Sequence, residues 1–177
     1  MIYSFLENYY LRPLQKSDLD GPYSSWFSDQ LITQYSSHGK FFKNENYFNS
    51  FYENLNREDQ VVLGIFHQTD GHIGNLSLQD ISWINRTAEF AIIIGNQNHH
   101  RKGVSLHAAR YMLDHGFLKL NLNKIYCGTS DNNLGMQKLA LTLGMKEEGR
   151  RIDHLFLEGK YCDILLYYIL AKDWQKK

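Results

Sequence analysis

The sequence predicts one α/β domain over residues 1–177: a mixed, mostly antiparallel sheet with a parallel strand pair and flanking helices. Three observations carry this. Residues 86–145 read as strand, glycine loop, helix, strand, helix, most economically a parallel pair joined by a crossover helix. Three β-rich runs joined by tight turns lead into that stretch or begin it, and two more follow it. The 177 residues are also enough chain to bury a real core.

Residues 9–14 form a short strand candidate closed by Pro13. Ser17-Asp18 precedes a segment that can cap and start a helix, and Pro22 limits how it runs. Tyr23 to Leu31 continues the helical reading. Residues 34–43 are rich in turn formers and aromatics. Asn44 can cap a helix over residues 45–55. Its aromatic stripe, Tyr47, Phe48, Phe51 and Tyr52, is expected in the core.

Gln60 to His67 is β-rich, and Thr69-Asp70-Gly71 is a hairpin signal. His72 to Trp83 is the return strand, with Gly74 placed for a bulge. Thr87 to Ile94 is the next strand, so these three form an antiparallel meander. Residues 104–120 are an amphipathic helix, Lys124 to Thr129 a strand, and Leu134 to Leu143 a helix stopped by Gly144. Met145 to Leu157 and Tyr161 to Leu170 are strands joined by a turn at Glu158-Gly159-Lys160.

Composition narrows the function. Lys plus Arg equals Asp plus Glu at 19 each, so no global field draws in nucleic acid or anionic lipid. Neither nucleic acid nor a membrane is expected as a partner, and no apolar run approaches membrane-spanning length. Cys127 and Cys162 have no ligand spacing and read as buried thiols in a reducing compartment. No metal is expected. The first residues, MIYSFLENYYLRPL, do not read as a signal peptide, and the expected location is cytoplasmic.

The chemistry points to the loop between Ile94 and Val104. A helix N-terminus has unpartnered N–H groups and partial positive charge, so a strand feeding a small-residue turn into one makes an anion cradle. Arg101 and Lys102 add two charges, and Gly103 lets the backbone come close to a ligand. This suits a pyrophosphate. Neither GxxxxGK[ST] nor a GxGxxG after this strand is present. The competing reading is an ordinary solvated loop with two surface cations.

Several short motifs, in order, resemble the GNAT superfamily of acetyl-CoA-dependent N-acetyltransferases. They are Leu11-Arg12-Pro13-Leu14 with Asp18, Ile73-Gly74, Ala88-Glu89-Phe90, and Arg101-Lys102-Gly103. Asp131-Asn132-Asn133, Leu143-Gly144-Met145, Glu148-Gly149, Gly159 to Asp163, and Trp174 follow. The chain looks most like the ribosomal-protein-alanine acetyltransferase branch. The resemblance implies a GNAT-like fold with acetyl-CoA as co-substrate. It departs from the family at His100, where Gln, Arg or Trp is usual, and at Ser105, usually Gly or Ala. Ala140 stands where many relatives place a Tyr as general acid to the thiolate. Members of this branch often lack that Tyr too.

Cofactor contacts are expected from the strand edge Ile92, Ile93 and Ile94, from His100, Arg101, Lys102, Gly103, Val104 and Ser105, and from Asn133. The strand edge would pair with pantetheine amides. Asn133 also reads as a plain N-cap. An amine attacks a thioester only when neutral, so a general base is wanted. Glu89 is the candidate, as the sole carboxylate of its strand; its other reading is a solvent-facing charge. His99 and His100 can also act as bases, though lining the loop is the simpler role.

The acceptor is expected to be a small-molecule primary amine. Its pocket should come from residues 34–42, the hairpin at 79–83 and the end strands near His154 and Tyr161. Tyr35, Ser36, His38, Trp83 and His154 offer aromatic faces and neutral hydrogen bonds, and no carboxylate cluster is visible. That set fits a nucleotide-linked amino sugar of surface-glycan synthesis, to whose acetyltransferases Tyr35-Ser36 and residues 163–168 are similar. A protein N-terminus, as on a ribosomal protein, is the alternative. So is a non-catalytic acetyl-CoA-binding regulatory domain, which Ala140 favours and Glu89 opposes. A homodimer is left open.

Overall fold

The computed structural model describes residues 2–174. Its eight strands form one sheet in the order β1-β2-β3-β4-β5-β6-β8-β7. They are β1 (Tyr3–Leu6), β2 (Tyr9–Arg12), β3 (Val61–His67), β4 (Gly71–Ser82), β5 (Thr87–Ile94), β6 (Lys124–Ser130), β7 (Lys146–Leu157) and β8 (Lys160–Leu170). Every neighbouring pair is antiparallel except β5–β6. The predicted mixed sheet with one parallel pair is therefore present.

The helices are α1 (Lys16–Asp18), α2 (Ser24–Trp26), α3 (Gln30–Thr33), α4 (Glu45–Glu53), α5 (Val104–Leu118) and α6 (Leu134–Thr142). Helix α5 is the crossover between the parallel strands. It buries Val104, Ala108, Ala109, Met112, Leu113 and Phe117. This i, i+4 stripe packs on Ile73, Leu76, Leu78, Ala88, Phe90 and Ile125 of the sheet. Each large apolar side chain fully buried there contributes roughly 1.5–3 kcal/mol. Cys127 and Cys162 are buried free thiols. Among the described residues no helix is long and apolar enough to cross a membrane.

The structure corrects the sequence reading in four places. Strand β1 was not predicted; Asn8, with φ 65, turns it back onto β2. The helix expected over residues 23–31 is broken into α2 and α3. Before them, Gly21 and Pro22 interrupt the backbone, and α1 is capped from Gln15 rather than Ser17. The extra residue in β4 is Ile73, immediately before Gly74. The α4 aromatics are only partly core: Phe48, Phe51 and Tyr52 pack on a second cluster of Leu19, Tyr23 and Trp26, but Tyr47 is 44% exposed.

Candidate active site

Strand β5 positions the site. Ala88 and Phe90 point into the core, so by alternation Glu89 lies on the opposite face. Among the described residues, the parallel ladder to β6 runs only from Thr87↔Lys124 to Glu89↔Tyr126. Beyond Glu89 the strands part, while β5 stays paired with β4 through Ile94. Residues 91–94 thus present an edge without a β6 partner, the kind of edge an extended amide ligand can join. Ile92 and Ile94 lie partly buried against the core, while Ile93 lies opposite Asn75.

The loop after β5 turns over Gly95, where a Cβ would lie 1.9 Å from the Trp26 ring. His100 Nε2 donates to the Ile94 carbonyl at 3.0 Å, which ties the loop back to the strand. That bond gives His100 an anchoring role and leaves the ring's lone pair on Nδ1. Arg101 has φ 61, and Gly103 is left-handed at φ 78, ψ −3. Gly103 is the N-cap of α5, and no side chain caps it. The first N–H groups of α5, from Val104 and Ser105 onward, therefore remain for a ligand.

Asn133 caps α6, its side-chain oxygen accepting from Met136 N–H at 3.1 Å. Its amide NH₂ is left to donate elsewhere. Nearby, Asp131 Oδ1 is buried without a protein partner among the described residues, an acceptor open to a ligand N–H. Ala140 is fully buried in the core. An uncapped helix start, an open strand edge and an orphaned buried oxygen fit the phosphate and amide groups of CoA.

Beside Glu89 lies a cleft of ≈ 500 Å³. Glu89 shares it with Asp80, Tyr126, Lys124, Glu148 and Arg151. The Gln79 side-chain amide donates to Glu89 Oε2 at 3.4 Å, and Lys124 is paired with Glu148. Asp80 sits at φ 51 in a register shift between Gln79 and Ser82. Burial pushes the Tyr126 phenol above its ordinary value, and the charges of Glu89 and Asp80 add to this, so it is protonated at neutral pH. Burial, with Glu89 adding, pushes the Cys127 thiol up to about 12, which leaves it inert.

This cleft corrects the expectation of no carboxylate cluster: Asp80, Glu89 and Glu148 come together from three strands. None was near another in sequence. The available signals were strand alternation, which places Lys124 and Tyr126 on the face of Glu89, and the irregularity at Asp80.

The five residues expected at the acceptor do not line this cleft. Tyr35, Ser36 and His38 follow α3, and His38 packs edge-on against Phe27 at 5.7 Å. Burial, then the Lys43 charge, lowers the His38 pKa. Trp83 lies after β4, 51% exposed, and donates to the Glu58 carbonyl at 3.1 Å. His154 sits in an irregular stretch of β7 between the pairs Arg151↔Ile164 and Leu155↔Cys162. His107 lies on α5 close to Gly103.

Known proteins share this architecture. The family model "Acetyltransferase (GNAT) domain" matches residues 8–146. Spermidine N(1)-acetyltransferase of Vibrio cholerae is 38% identical over 102 residues, 58% of each chain. The match thus spans less than two thirds of that relative. The Escherichia coli K12 spermidine N(1)-acetyltransferase is 30% identical over 157 residues, 85% of this chain and 80% of that one. A crystal structure of the Vibrio cholerae spermidine N-acetyltransferase with CoA and spermine superposes with TM-score 0.85 and 26% identity. That superposition covers 95% of this chain and 98% of the other. With the GNAT model matched over residues 8–146 and the same fold carried through nearly the whole length, this chain belongs to the GNAT acetyltransferase family.

Proposed function

We propose that this chain transfers an acetyl group from acetyl-CoA to a primary amine of a small polycationic acceptor, a polyamine. The observation that carries this is the cleft in which Asp80, Glu89 and Glu148 face one volume. A polyamine is a string of ammonium groups, and carboxylates at intervals suit it better than the neutral donors first expected. The spermidine N-acetyltransferases among the relatives agree with that choice. The nucleotide-linked amino sugar becomes the second reading; Lys124 and Arg151 in the same cleft are what favour it. An N-terminal protein substrate ranks behind both.

In this reading acetyl-CoA supplies the thioester. Gly103, Val104 and Ser105 hold its pyrophosphate with backbone N–H groups, and Arg101 and Lys102 add charge. His100 shapes the loop, Ile92, Ile93 and Ile94 offer the open edge, and Asn133 donates to the pantetheine arm. Glu89 takes the proton from the acceptor ammonium, directly or through one water, and the neutral amine then attacks the thioester carbonyl. A free thiol titrates near pH ~8.5, so thiolate leaves without strong acid help and Ala140 is tolerated. The protonated Tyr126 phenol lines the same cleft and can donate a proton there.

Glu89→Gln tests the assignment. It keeps size and can still accept from Gln79, but takes no proton. Turnover on spermidine should fall about 10²–10⁴-fold at neutral pH with CoA binding retained. The loss should shrink as pH rises and the free amine forms unaided. Unaltered turnover across the pH range would place the base elsewhere. In an acceptor panel read by thiol release, spermidine should exceed amino-sugar nucleotides and Ser- or Ala-starting peptides; the opposite order overturns the acceptor.

A further inference from the structure

Outside the cleft, one side-chain cluster has no part in acetyl transfer. His67 ends β3, Asp70 sits in the β3–β4 turn, and His99 ends the short helical turn in the loop before α5. One ligand-capable atom of each lies within 4.8 Å of the others. Asp70 Oδ2 is 3.2 Å from His67 Nδ1 and 2.9 Å from His99 Nε2. It is the one such group of three among the described residues.

We propose that His67 Nδ1, Asp70 Oδ2 and His99 Nε2 form a zinc site that clips the β3–β4 turn to the loop before α5. The donor set of two imidazoles and one carboxylate suits Zn²⁺ and its first-row neighbours, whereas Mg²⁺ and Ca²⁺ prefer oxygen alone. Zn–N and Zn–O bonds near 2.0–2.1 Å in a tetrahedron set ligand atoms about 3.4 Å apart. The two Asp70 distances need only a few tenths of an ångström to reach that. Asp70 and His67 retain solvent access for the adjustment, with side chains 43% and 19% exposed. Water takes the fourth position.

Two further features suit a metal. Buried His99, 2% exposed, has its other nitrogen, Nδ1, 2.9 Å from the Tyr9 hydroxyl. With Nε2 on zinc, Nδ1–H donates to Tyr9 oxygen, the orienting bond that metal-bound histidines usually make. His67 Nδ1 meanwhile meets both the Asp70 carboxylate and, at 3.4 Å, the Asp70 backbone N–H. A neutral Nδ1 that accepts this N–H turns no proton toward the carboxylate, and a cation between the two would bind both in exchange for the long 3.4 Å bond.

The site does not depend on the proposed acetyl transfer, and its test uses neither acetyl-CoA nor acceptor. Tag-free, metal-stripped full-length protein is titrated with Zn²⁺ at pH 7.5 by calorimetry. Co²⁺ spectra report coordination. One saturable site is expected, with a thermal midpoint about 5–10 °C higher at free zinc 100 times Kd. His67→Gln and Asp70→Asn, both at partly exposed positions, should each weaken Zn²⁺ by at least about tenfold. Their metal-free melting should remain cooperative. No saturable 1:1 binding, or binding unweakened in either variant, overturns the site; uptake by the other six histidines would look like that.

Discussion

Gly103→Ala isolates the backbone conformation of the phosphate loop. Gly103 holds φ 78, ψ −3, a left-handed conformation. A Cβ there meets only the His107 ring, at 3.7 Å, an ordinary contact. Sterics against neighbours therefore cost nothing, and the whole penalty is conformational. For an L-residue it is about 1–2 kcal/mol. The penalty has two places to appear. If the loop stays left-handed without ligand, the free protein loses that stability, a thermal midpoint about 2–8 °C lower, and CoA affinity is unchanged. If the free loop relaxes, the midpoint holds and CoA Kd rises about 5–30-fold. In either case the two losses should sum to about 1–2 kcal/mol, because the bound state requires the same backbone. Calorimetric CoA titration and thermal melts of both proteins measure the two parts. A sum near zero would mean that CoA does not use this conformation. A sum well above about 3 kcal/mol would mean that the cost is not the single left-handed residue.

Other expectations follow from the same geometry. Asp80→Asn keeps the size and the tolerance for φ 51 but removes a cleft charge, so KM for spermidine should rise about 2–5-fold, less at high salt, with kcat little changed. An unchanged KM at low salt would remove Asp80 from acceptor binding. Arg12 donates to both Asp18 oxygens at 2.7 Å. Burial alone would raise the Asp18 carboxyl, but the Arg12 bonds and the Gln15 N–H outweigh it and hold the pKa below its usual value. Such a group stabilises fully above its unfolded pKa, near ~4, and loses that contribution as pH falls through the depressed folded value. Asp18→Asn should therefore cost about 1–3 kcal/mol at pH 7 and progressively less toward pH ~2. An equal cost at both ends, measured by urea unfolding, would show that packing and not charge is lost.

Local patterns that the chain carries in order were readable before any coordinates. The apolar run in residues 88–94, Gly103 ahead of a helical stripe, and Gly144 after the next helix give strand, crossover and stop by nearest-neighbour physics. With the family resemblance, they led to the parallel pair, the phosphate loop and Glu89. Tertiary structure decided what depends on residues distant in sequence. The break of residues 23–31 into α2 and α3 was not foreseen; there Asp29 takes an extended backbone and its side chain caps α3, accepting from Leu31 N–H at 2.8 Å. The cleft is likewise a product of register. Pairing Glu89 beside Tyr126, and the shift that sets Asp80 left-handed, gathers carboxylates from positions 80, 89 and 148. A strand's own sequence fixes which face a side chain takes, but only pairing with other strands fixes what stands opposite it. Neutral aromatic and hydrogen-bonding residues thus pointed to a sugar, while the folded sheet gathers three carboxylates in one cleft, on which the proposed polyamine acceptor rests.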